Sequence, residues 1–147
     1  MKIITENREA RHNYFLENPL EAGIVLEGSE VKSLRDNRAN LKDSYVIIRS
    51  GEVFLLNCFI SNFEKTGVFV PDTKRTRKLL LHKLEIEKLL RKTKEHGYTI
   101  VPTKMYFKED KVKVEIALAK GKKNYDKKED KKTNDLKKYA ERQIRIK

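Results

Sequence analysis

The densest run of chemically active groups in this sequence is a basic cluster near its middle. Four of the five residues from Lys74 to Lys78 are cations, in the order Lys-Arg-Thr-Arg-Lys. Arginine binds a phosphate through parallel N–H donors, and lysine adds a compact positive charge. The cluster follows Pro71-Asp72, a pair typical of a loop. It therefore indicates a phosphate-contacting loop, although a solvated surface loop has the same composition.

A second basic run, from Gly121 to Lys128, contains a single aromatic residue. Its sequence is Gly-Lys-Lys-Asn-Tyr-Asp-Lys-Lys, so Tyr125 lies between two lysine pairs. An aromatic ring can stack on a nucleic-acid base while the flanking lysines bind phosphates. The run is typical of a contact with single-stranded RNA or, alternatively, of a basic linker.

One acidic residue, Glu30, stands in a basic segment, residues 28–35, with the sequence Gly-Ser-Glu-Val-Lys-Ser-Leu-Arg. A carboxylate among cations can accept hydrogen bonds from base amino groups, which cations cannot do. It can equally stabilise the first turn of its own helix. Both roles remain open at this point.

The remaining candidates for catalysis or metal binding are few and isolated. The three histidines, His12, His82 and His96, are far apart, and the one cysteine, Cys58, lies in an apolar run. Zinc ligands are usually closely spaced Cys and His residues, and no nucleophile elbow or phosphate-binding glycine loop is present. We therefore expect no catalytic residue, metal or cofactor. A small ribonuclease using His12 and His82 is the enzymatic alternative.

The composition favours a protein that binds a polyanion. The chain has 147 residues, 34 of them Lys or Arg and 22 Asp or Glu, which gives a net charge of +12. Such a charge suits nucleic acid or an acidic membrane surface. No apolar run approaches the ~20 residues of a membrane span, the first residues lack the apolar core of a signal peptide, and one cysteine makes no internal disulfide. We expect a cytoplasmic protein without a membrane partner.

The charge distribution divides the chain into a body, residues 1–119, and a basic tail, residues 120–147. The tail has twelve basic and five acidic residues, a net charge of +7, which leaves +5 for the much longer body. Because so polar a segment buries little apolar surface, we expect the tail to be disordered when alone. Its apolar residues Leu136, Tyr139, Ala140 and Ile144 fall at helical spacing, so it either forms a helix against RNA or stays solvated.

Two hairpins are predicted in the body. Residues 45–49 and 53–60 flank Ser50-Gly51, and residues 98–107 and 112–118 flank a polar turn. In the second hairpin we expect one face to carry Val101, Thr103, Met105 and Phe107. Pro102 marks an edge or a bulge there.

The rest of the body sequence predicts three helices and two short strands in addition to these hairpins. One helix carries Ile86, Leu89, Leu90 and Thr93 on one face and should end at Gly97. The further helices are expected at 7–16 and 29–36, and the strands at 22–27 and 79–81. The predicted fold class is mainly β with peripheral helices (α+β), with the strands closed into a small OB-like antiparallel barrel.

Six motifs distributed along the chain resemble a known family. They are residues 7–15 (NREARHNYF), 21–26 (EAGIVL), 28–35 (GSEVKSLR), 39–46 (ANLKDSYV), 75–83 (RTRKLLLHK) and 121–128 (GKKNYDKK). In this order they resemble the SmpB family of SsrA-binding proteins over nearly the whole chain.

This resemblance implies a fold and a function. The fold is an OB-type barrel with peripheral helices and an extended basic tail. The function is to bind the tRNA-like domain of transfer-messenger RNA (tmRNA) and deliver that RNA to ribosomes stalled on messages without a stop codon. The body stands in for the missing anticodon arm, and the tail occupies the decoding centre and the empty mRNA channel. The implied partners are tmRNA, the stalled ribosome with its small-subunit rRNA, and elongation factor Tu, which joins the complex through tmRNA.

The resemblance also implies which residues contact RNA. In the body they are Asn7, Arg11, His12, Glu30, Lys32, Arg35, Arg75, Arg77 and Lys78. In the tail they are Lys122, Lys123, Tyr125, Asp126, Lys127 and Lys128, with Tyr125 stacking on a base of the small-subunit rRNA. The sequence departs from the family pattern at Pro71, Thr73, Lys128 and Asn134, and Lys128 lacks the planar fork of the usual arginine.

The alternative binding function is that of a ribosomal or translation-factor barrel protein that holds rRNA permanently. Such a protein would sediment with ribosomal subunits without tmRNA, whereas an adaptor would need tmRNA.

Overall fold

The computed structural model describes residues 1–62 and 72–121, which form nine strands and three helices. In chain order they are β1 (Lys2–Glu6), α1 (Arg8–Asn13), β2 (Tyr14–Ile24), α2 (Gly28–Arg35), β3 (Ala39–Asn40), β4 (Tyr45–Arg49), β5 (Glu52–Leu56), β6 (Phe59–Ile60), β7 (Arg77–Leu80), α3 (Lys83–His96), β8 (Thr99–Lys108) and β9 (Lys111–Gly121). The predicted tail helix, the tail contacts from Lys122 to Lys128, and Pro71 lie outside the described residues.

The strands pair into one large antiparallel sheet and one small one. The large sheet has the order β1-β8-β4-β5-β7-β2-β9, and β8 also pairs with β9. The pairings therefore make a circuit, β8-β4-β5-β7-β2-β9, that returns to β8, and such a circuit leaves few unpaired strand edges. The two-residue strands β3 and β6 pair separately. The protein is thus mainly β with a few helices, as the sequence predicts.

Both predicted hairpins are confirmed, and both turn through two residues with positive φ. Ser50 (φ 52°) and Gly51 (φ 78°) join β4 to β5, and Glu109 (φ 52°) and Asp110 (φ 67°) join β8 to β9. Two consecutive positive φ values match the right-handed twist of paired strands. The hairpin turns therefore set the register of four of the strands in the circuit.

The face predicted for β8 is wrong in its first half because the strand contains a bulge. The pairing of β8 with β9 shifts register between Pro102 and Lys104. One extra residue reverses the alternation of side chains. Consequently Ile100 packs in the main core with Met105, whereas Val101 packs in a second cluster with Ala10 and Ala119. The expected bulge at Pro102 is confirmed.

The first predicted helix and the first predicted strand have different bounds in the structure. α1 ends at Asn13 instead of residue 16, and β2 already begins at Tyr14 and ends at Ile24, so Glu27 is not part of a strand. β2 pairs with β9 along most of its length, with a register shift between Glu17 and Leu20. Asn18, at φ 51°, lies in that shift. The irregularity hides the alternation that identifies a strand.

The strand predicted at 53–60 is interrupted at Asn57, whose φ is 64°. Its first part is β5, which continues the circuit, and its second part is β6, which pairs with β3. The other predicted elements are confirmed. α2 spans Gly28–Arg35, and β7 corresponds to the leucine-rich strand predicted at 79–81.

α3 ends where its sequence predicts. The backbone N–H of its N-cap, His82, donates to the Glu85 carboxylate at 2.9 Å, and Leu89 is buried. Gly97 follows the last helical residue with φ 71°. Glycine is favoured there because a Cβ is strained in the left-handed region. Within the described residues, no helix is long and apolar enough to cross a bilayer.

Replacing Gly97 with alanine should lower the free energy of unfolding by about 1 kcal/mol, because alanine is strained at positive φ. Gly28→Ala is the matched control, since Gly28 is helical and a Cβ there meets no atom within 4 Å. It should leave stability unchanged or raise it by up to about 1 kcal/mol. Urea unfolding of both variants checks this. Equal losses in the two variants would contradict the assigned role of the Gly97 backbone.

Candidate nucleic-acid interface

The centre of the predicted site is a buried carboxylate, that of Glu30, which is only 3% exposed. Glu30 is the third residue of α2. Its Oε1 accepts a hydrogen bond from the backbone N–H of Glu27 at 2.8 Å, which is half of a capping box. This satisfies one of the free N–H groups at the start of the helix region. The helix-capping role proposed for Glu30 is therefore confirmed.

Two arginines from the basic cluster hold this carboxylate from the other side. The Arg75 Nε and Nη2 donate to Oε2 and Oε1 of Glu30 at 3.0 and 2.8 Å, a bidentate pair. The Arg77 Nε and Nη2 both donate to Oε2, at 3.0 and 2.7 Å. One anion thus joins two cations that lie more than 40 residues away in sequence. Pairs of this geometry are the strong ones among ionic hydrogen bonds.

The Arg77 side chain is fully buried, at 0% exposure, and every one of its N–H donors has an acceptor. Besides the two bonds to Glu30, it donates to the carbonyl oxygens of Cys58, Thr73 and Arg75 at 2.7, 3.1 and 3.2 Å. A guanidinium group has five N–H donors, so the group is fully satisfied. Arg77 therefore fixes the backbone just before β7 to the body.

Arg75 differs from Arg77 because its side chain remains 27% exposed. Its Nε and Nη2 face Glu30, and Nη1 is 3.4 Å from the carbonyl oxygen of Thr76. Nη2 is also 3.4 Å from the carbonyl oxygen of Val25. Glu30, Arg75 and Arg77 together form an ion cluster. The Arg75 guanidinium is held in one orientation at the surface of this ion cluster.

The ion cluster shifts the ionisation of its members. Burial alone would raise the pKa of Glu30, but the hydrogen bonds from Arg75, the Glu27 N–H and Arg77 outweigh it and lower that pKa. The Glu30 carboxylate in turn raises the pKa of Arg75. Burial raises the pKa of the neighbouring Cys58 thiol to about 11. The Glu30 carboxylate and Arg75 therefore stay ionised, and Cys58 stays protonated, at neutral pH.

These positions correct three of the predicted RNA contacts. Glu30 and Arg77 are buried and bonded within the body, so their side chains have no surface to offer a base or a phosphate. Asn7 is 5% exposed: its Oδ1 accepts from the Ala10 N–H, and its Nδ2 donates to the carbonyl oxygen of Pro102. Such groups are buried at no cost only when bonded in this way. Glu30, Arg77 and Asn7 therefore stabilise the body beneath its surface and are not part of that surface.

The other predicted contacts are at the surface in two separate groups. The first group comprises Lys32 and Arg35, exposed on the helix α2 that begins beside Glu30, and Arg75 and Lys78 from the basic cluster. Arg75 bonds directly to Glu30, whereas Lys78 is 43% exposed and bonds to Glu52 at 2.9 Å. The second group, Arg11 and His12, lies on α1, which packs against β2 and β8, whereas α2 packs against β6. Of these surface residues, the structure places Arg75 in contact with Glu30.

Two apolar side chains beside Lys78 are exposed, and the sequence did not identify them. Leu80 is 52% and Val25 46% exposed, and the backbone N–H of Val25 donates to the carbonyl oxygen of Lys78 at 3.0 Å. In β7, Arg77 and Leu79 are buried and Lys78 and Leu80 exposed. That strict alternation is the sequence signal that could have found them. A cation beside exposed apolar surface suits an RNA strand, which offers both phosphates and bases.

No candidate metal centre occurs in the part of the chain that the structure describes. No group of three or more His, Cys, Asp or Glu side chains there could hold a metal ion. His82 caps α3, with its Nδ1 3.4 Å from Glu85, while His12 lies on α1. The two histidines proposed for a ribonuclease thus belong to different helices.

Comparisons with known proteins point to one family. The family model of the SmpB protein matches residues 4–146. The SsrA-binding protein of Geobacillus thermodenitrificans is 52% identical over 144 residues, which cover 98% of this chain and 93% of that one. The SsrA-binding protein of Clostridium tetani is 56% identical over 129 residues, 88% of this chain and 83% of that one. A solved chain described as "tmRNA-SmpB: a journey to the center of the bacterial ribosome" superposes with a TM-score of 0.69 and 45% identity, covering 82% of this chain and 85% of that chain.

Replacing Glu30 with glutamine should lower the free energy of unfolding at pH 7 by about 3 kcal/mol, because the charge of buried Arg77 loses its partner. Glu52→Gln is the control, since its ion pair with Lys78 is exposed and worth about 0–1 kcal/mol. Because folding lowers the pKa of Glu30, its contribution is present above an unfolded-state pKa of about 4.3 and is lost as the pH falls through the folded-state value.

Urea unfolding at pH 7 and at about pH 3 measures the free energy of unfolding of each variant. The difference in this free energy between the parent and Glu30→Gln should be smaller at the lower pH. A Glu30→Gln variant as stable as Glu52→Gln at pH 7 would contradict the buried ion cluster.

Proposed function

The chain belongs to the SmpB family of SsrA-binding proteins, and from this premise we propose that it binds tmRNA as an adaptor of trans-translation. The observation that carries the proposal is the family match over residues 4–146, which includes both body and tail. The solved relative, described as tmRNA-SmpB at the center of the bacterial ribosome, supports both partners. The protein acts by binding rather than by catalysis, in the cytoplasm where ribosomes work.

The body is a small OB-like barrel in this proposal. The support is the circuit of six antiparallel strands that returns to β8, with α3 between β7 and β8. Closure of this kind protects strand edges and leaves one outer surface for nucleic acid. In the complex, the body binds the tRNA-like domain of tmRNA and stands in for its missing anticodon arm.

The RNA-contacting surface of the body consists of exposed side chains on α2 and on the basic cluster that ends in β7. Arg75, Lys78, Lys32 and Arg35 supply positive charge for phosphates, and Leu80 supplies apolar surface for a base or a ribose. Glu30 and Arg77 act beneath this surface, because they hold Arg75 in one orientation. A guanidinium that is already ordered loses less conformational entropy when it binds. Arg11 and His12 on α1 form a second, separate contact.

The tail, residues 120–147, engages the ribosome. Its net charge of +7 suits the rRNA of the small subunit. Tyr125 stacks on an rRNA base, while Lys122, Lys123, Lys127 and Lys128, next to Asp126, lie along phosphates of the decoding centre and the mRNA channel. β9 ends at Gly121, two residues beyond the proposed boundary between body and tail. Elongation factor Tu joins this complex through tmRNA.

A competition experiment tests this function. The full chain binds labelled tmRNA at about 0.15 M salt in the presence of excess ordinary tRNA. We expect most of the binding to survive the competitor, because contacts with the tRNA-like domain add to the sequence-independent phosphate term. Filter binding or fluorescence anisotropy measures the bound fraction.

A chain that ends at Gly121 is the matched control for the tail. It should keep high-affinity tmRNA binding and lose ribosome rescue, because the two activities belong to different parts of the chain. Binding of the full chain that ordinary tRNA erases would refute the adaptor function and favour a permanent rRNA-binding protein. Loss of tmRNA binding in the shortened chain would refute the division between body and tail.

A further inference from the structure

A groove of about 540 Å³ lies between α1, β4, α3 and β8, away from the Glu30 ion cluster. Its apolar lining includes Val46, Ile48, Leu90, Ile100 and Val101. A groove of this size with an apolar floor suits a few side chains of a peptide segment. None of the residues assigned to exposed RNA contacts in the body lines it.

The charge of this groove is opposite to that of the protein as a whole. Among the described residues that line it there is no Lys or Arg, but there are two carboxylates, Glu9 and Asp43, in a chain of net charge +12. Glu9 lies 3.9 Å from Lys42, and both side chains are at least half exposed, so this pair neutralises little. The side of the groove at Glu9 and Asp43 therefore favours a basic segment, whereas the side at Tyr98 has Lys92 and Lys120 beside it.

Three tyrosines, Tyr14, Tyr45 and Tyr98, add amphipathic surface to the same groove. Tyr45 is 44% exposed, so its ring is available to a partner. The Tyr98 ring has the Lys120 Nζ 5.0 Å from its centroid, and its hydroxyl donates to Glu17 at 2.6 Å. Aromatic rings with a polar end are typical of surfaces that bind peptides.

The chain leaves the body at the rim of this groove. In the ladder between β2 and β9, Gly121 pairs with Tyr14, and in the ladder between β8 and β9, Ala119 pairs with Thr99. Tyr14 and Thr99 both line the groove. The 26 residues 122–147 therefore start next to it.

The sequence of residues 136–145 is complementary to the groove. Leu136, Tyr139, Ala140 and Ile144 recur at helical spacing, with Lys137, Lys138, Arg142 and Arg145 beside them. The apolar residues match the floor of the groove, and the cations match Glu9 and Asp43. We propose that, in the protein free of RNA, residues 136–145 of the same chain occupy this groove.

The covalent connection makes such a contact feasible even if it is weak. Fourteen residues, 122–135, separate the end of β9 from Leu136 and can span up to about 50 Å. A short tether gives an effective concentration near ~1 mM, so a Kd of that order already gives half occupancy. RNA then displaces the tail, because its phosphates compete for the same cations. This contact goes beyond the proposed function, and RNA binding does not depend on it.

A spin label on the tail of the full chain tests the proposal. Glu141→Cys places one reactive thiol in the segment but off its apolar stripe, and native Cys58 does not react because it is 0% exposed. At low salt, the amide NMR signals of Ile47 and Thr93, in the groove, should fall below about half of their intensity with the label reduced. Those of Glu109 and Asp110, in the turn at the far end of β8 from the groove, should not change. Added tmRNA should restore the groove signals.

Two variants and one mixed sample make the result specific. Adding Ile144→Asp should abolish the broadening, whereas the control Thr133→Asp, which adds the same charge outside residues 136–145, should retain it. Asp43→Asn with Glu9→Gln should weaken it. Uniform broadening, or broadening that Ile144→Asp leaves intact, would overturn the proposal. Broadening in a mixture of isotope-labelled chains and separate spin-labelled chains would overturn it as well, because the occupant would then be a second copy.

Discussion

The buried ion cluster of Glu30 with Arg75 and Arg77 is the interaction on which the interface depends. It joins the start of α2 to the residues before β7 and, through the Cys58 carbonyl, to the segment between β5 and β6. A buried ion pair gives little net stability compared with apolar packing, but removing one partner is costly. The effect of the ion cluster is therefore to fix the orientation of the Arg75 side chain at the surface.

The sequence predicted the elements whose limits depend on local chemistry. Ser50-Gly51 located the first hairpin, and Gly97 located the end of α3, because backbone conformation there requires those residue types. It failed where tertiary pairing inserts an extra residue. The bulge at Pro102 moves Val101 out of the main core, and the shift near Asn18 conceals β2. Pro102 indicated the first of these shifts. A register shift arises from pairing with a distant strand, however, so the local pattern did not show which side chains it would move, and it contained no sign of the shift near Asn18.

The sequence predicted which residues belong to the candidate site, but not which of them are buried. The run from Lys74 to Lys78 indicated phosphate binding, and the sequence left Glu30 as either a base contact or a helix cap. Only the fold shows that the two features meet across 45 residues or more, and that Arg77 is buried while Lys78 is exposed. Alternation along β7 carries part of this information. No local pattern in the sequence predicts the ion pairs of Glu30 with the two arginines, because they depend on how α2 packs.

The most direct test is a double-mutant cycle on tmRNA affinity, measured for the parent, Glu30→Gln, Arg75→Ala and the double variant, each confirmed to be folded at the assay temperature. If Glu30 acts through Arg75, each single variant weakens binding, and the double variant binds about as well as Arg75→Ala alone, a coupling of at least ~1 kcal/mol. Additive losses would contradict this account, because Glu30 would then affect binding independently of the arginine that it holds.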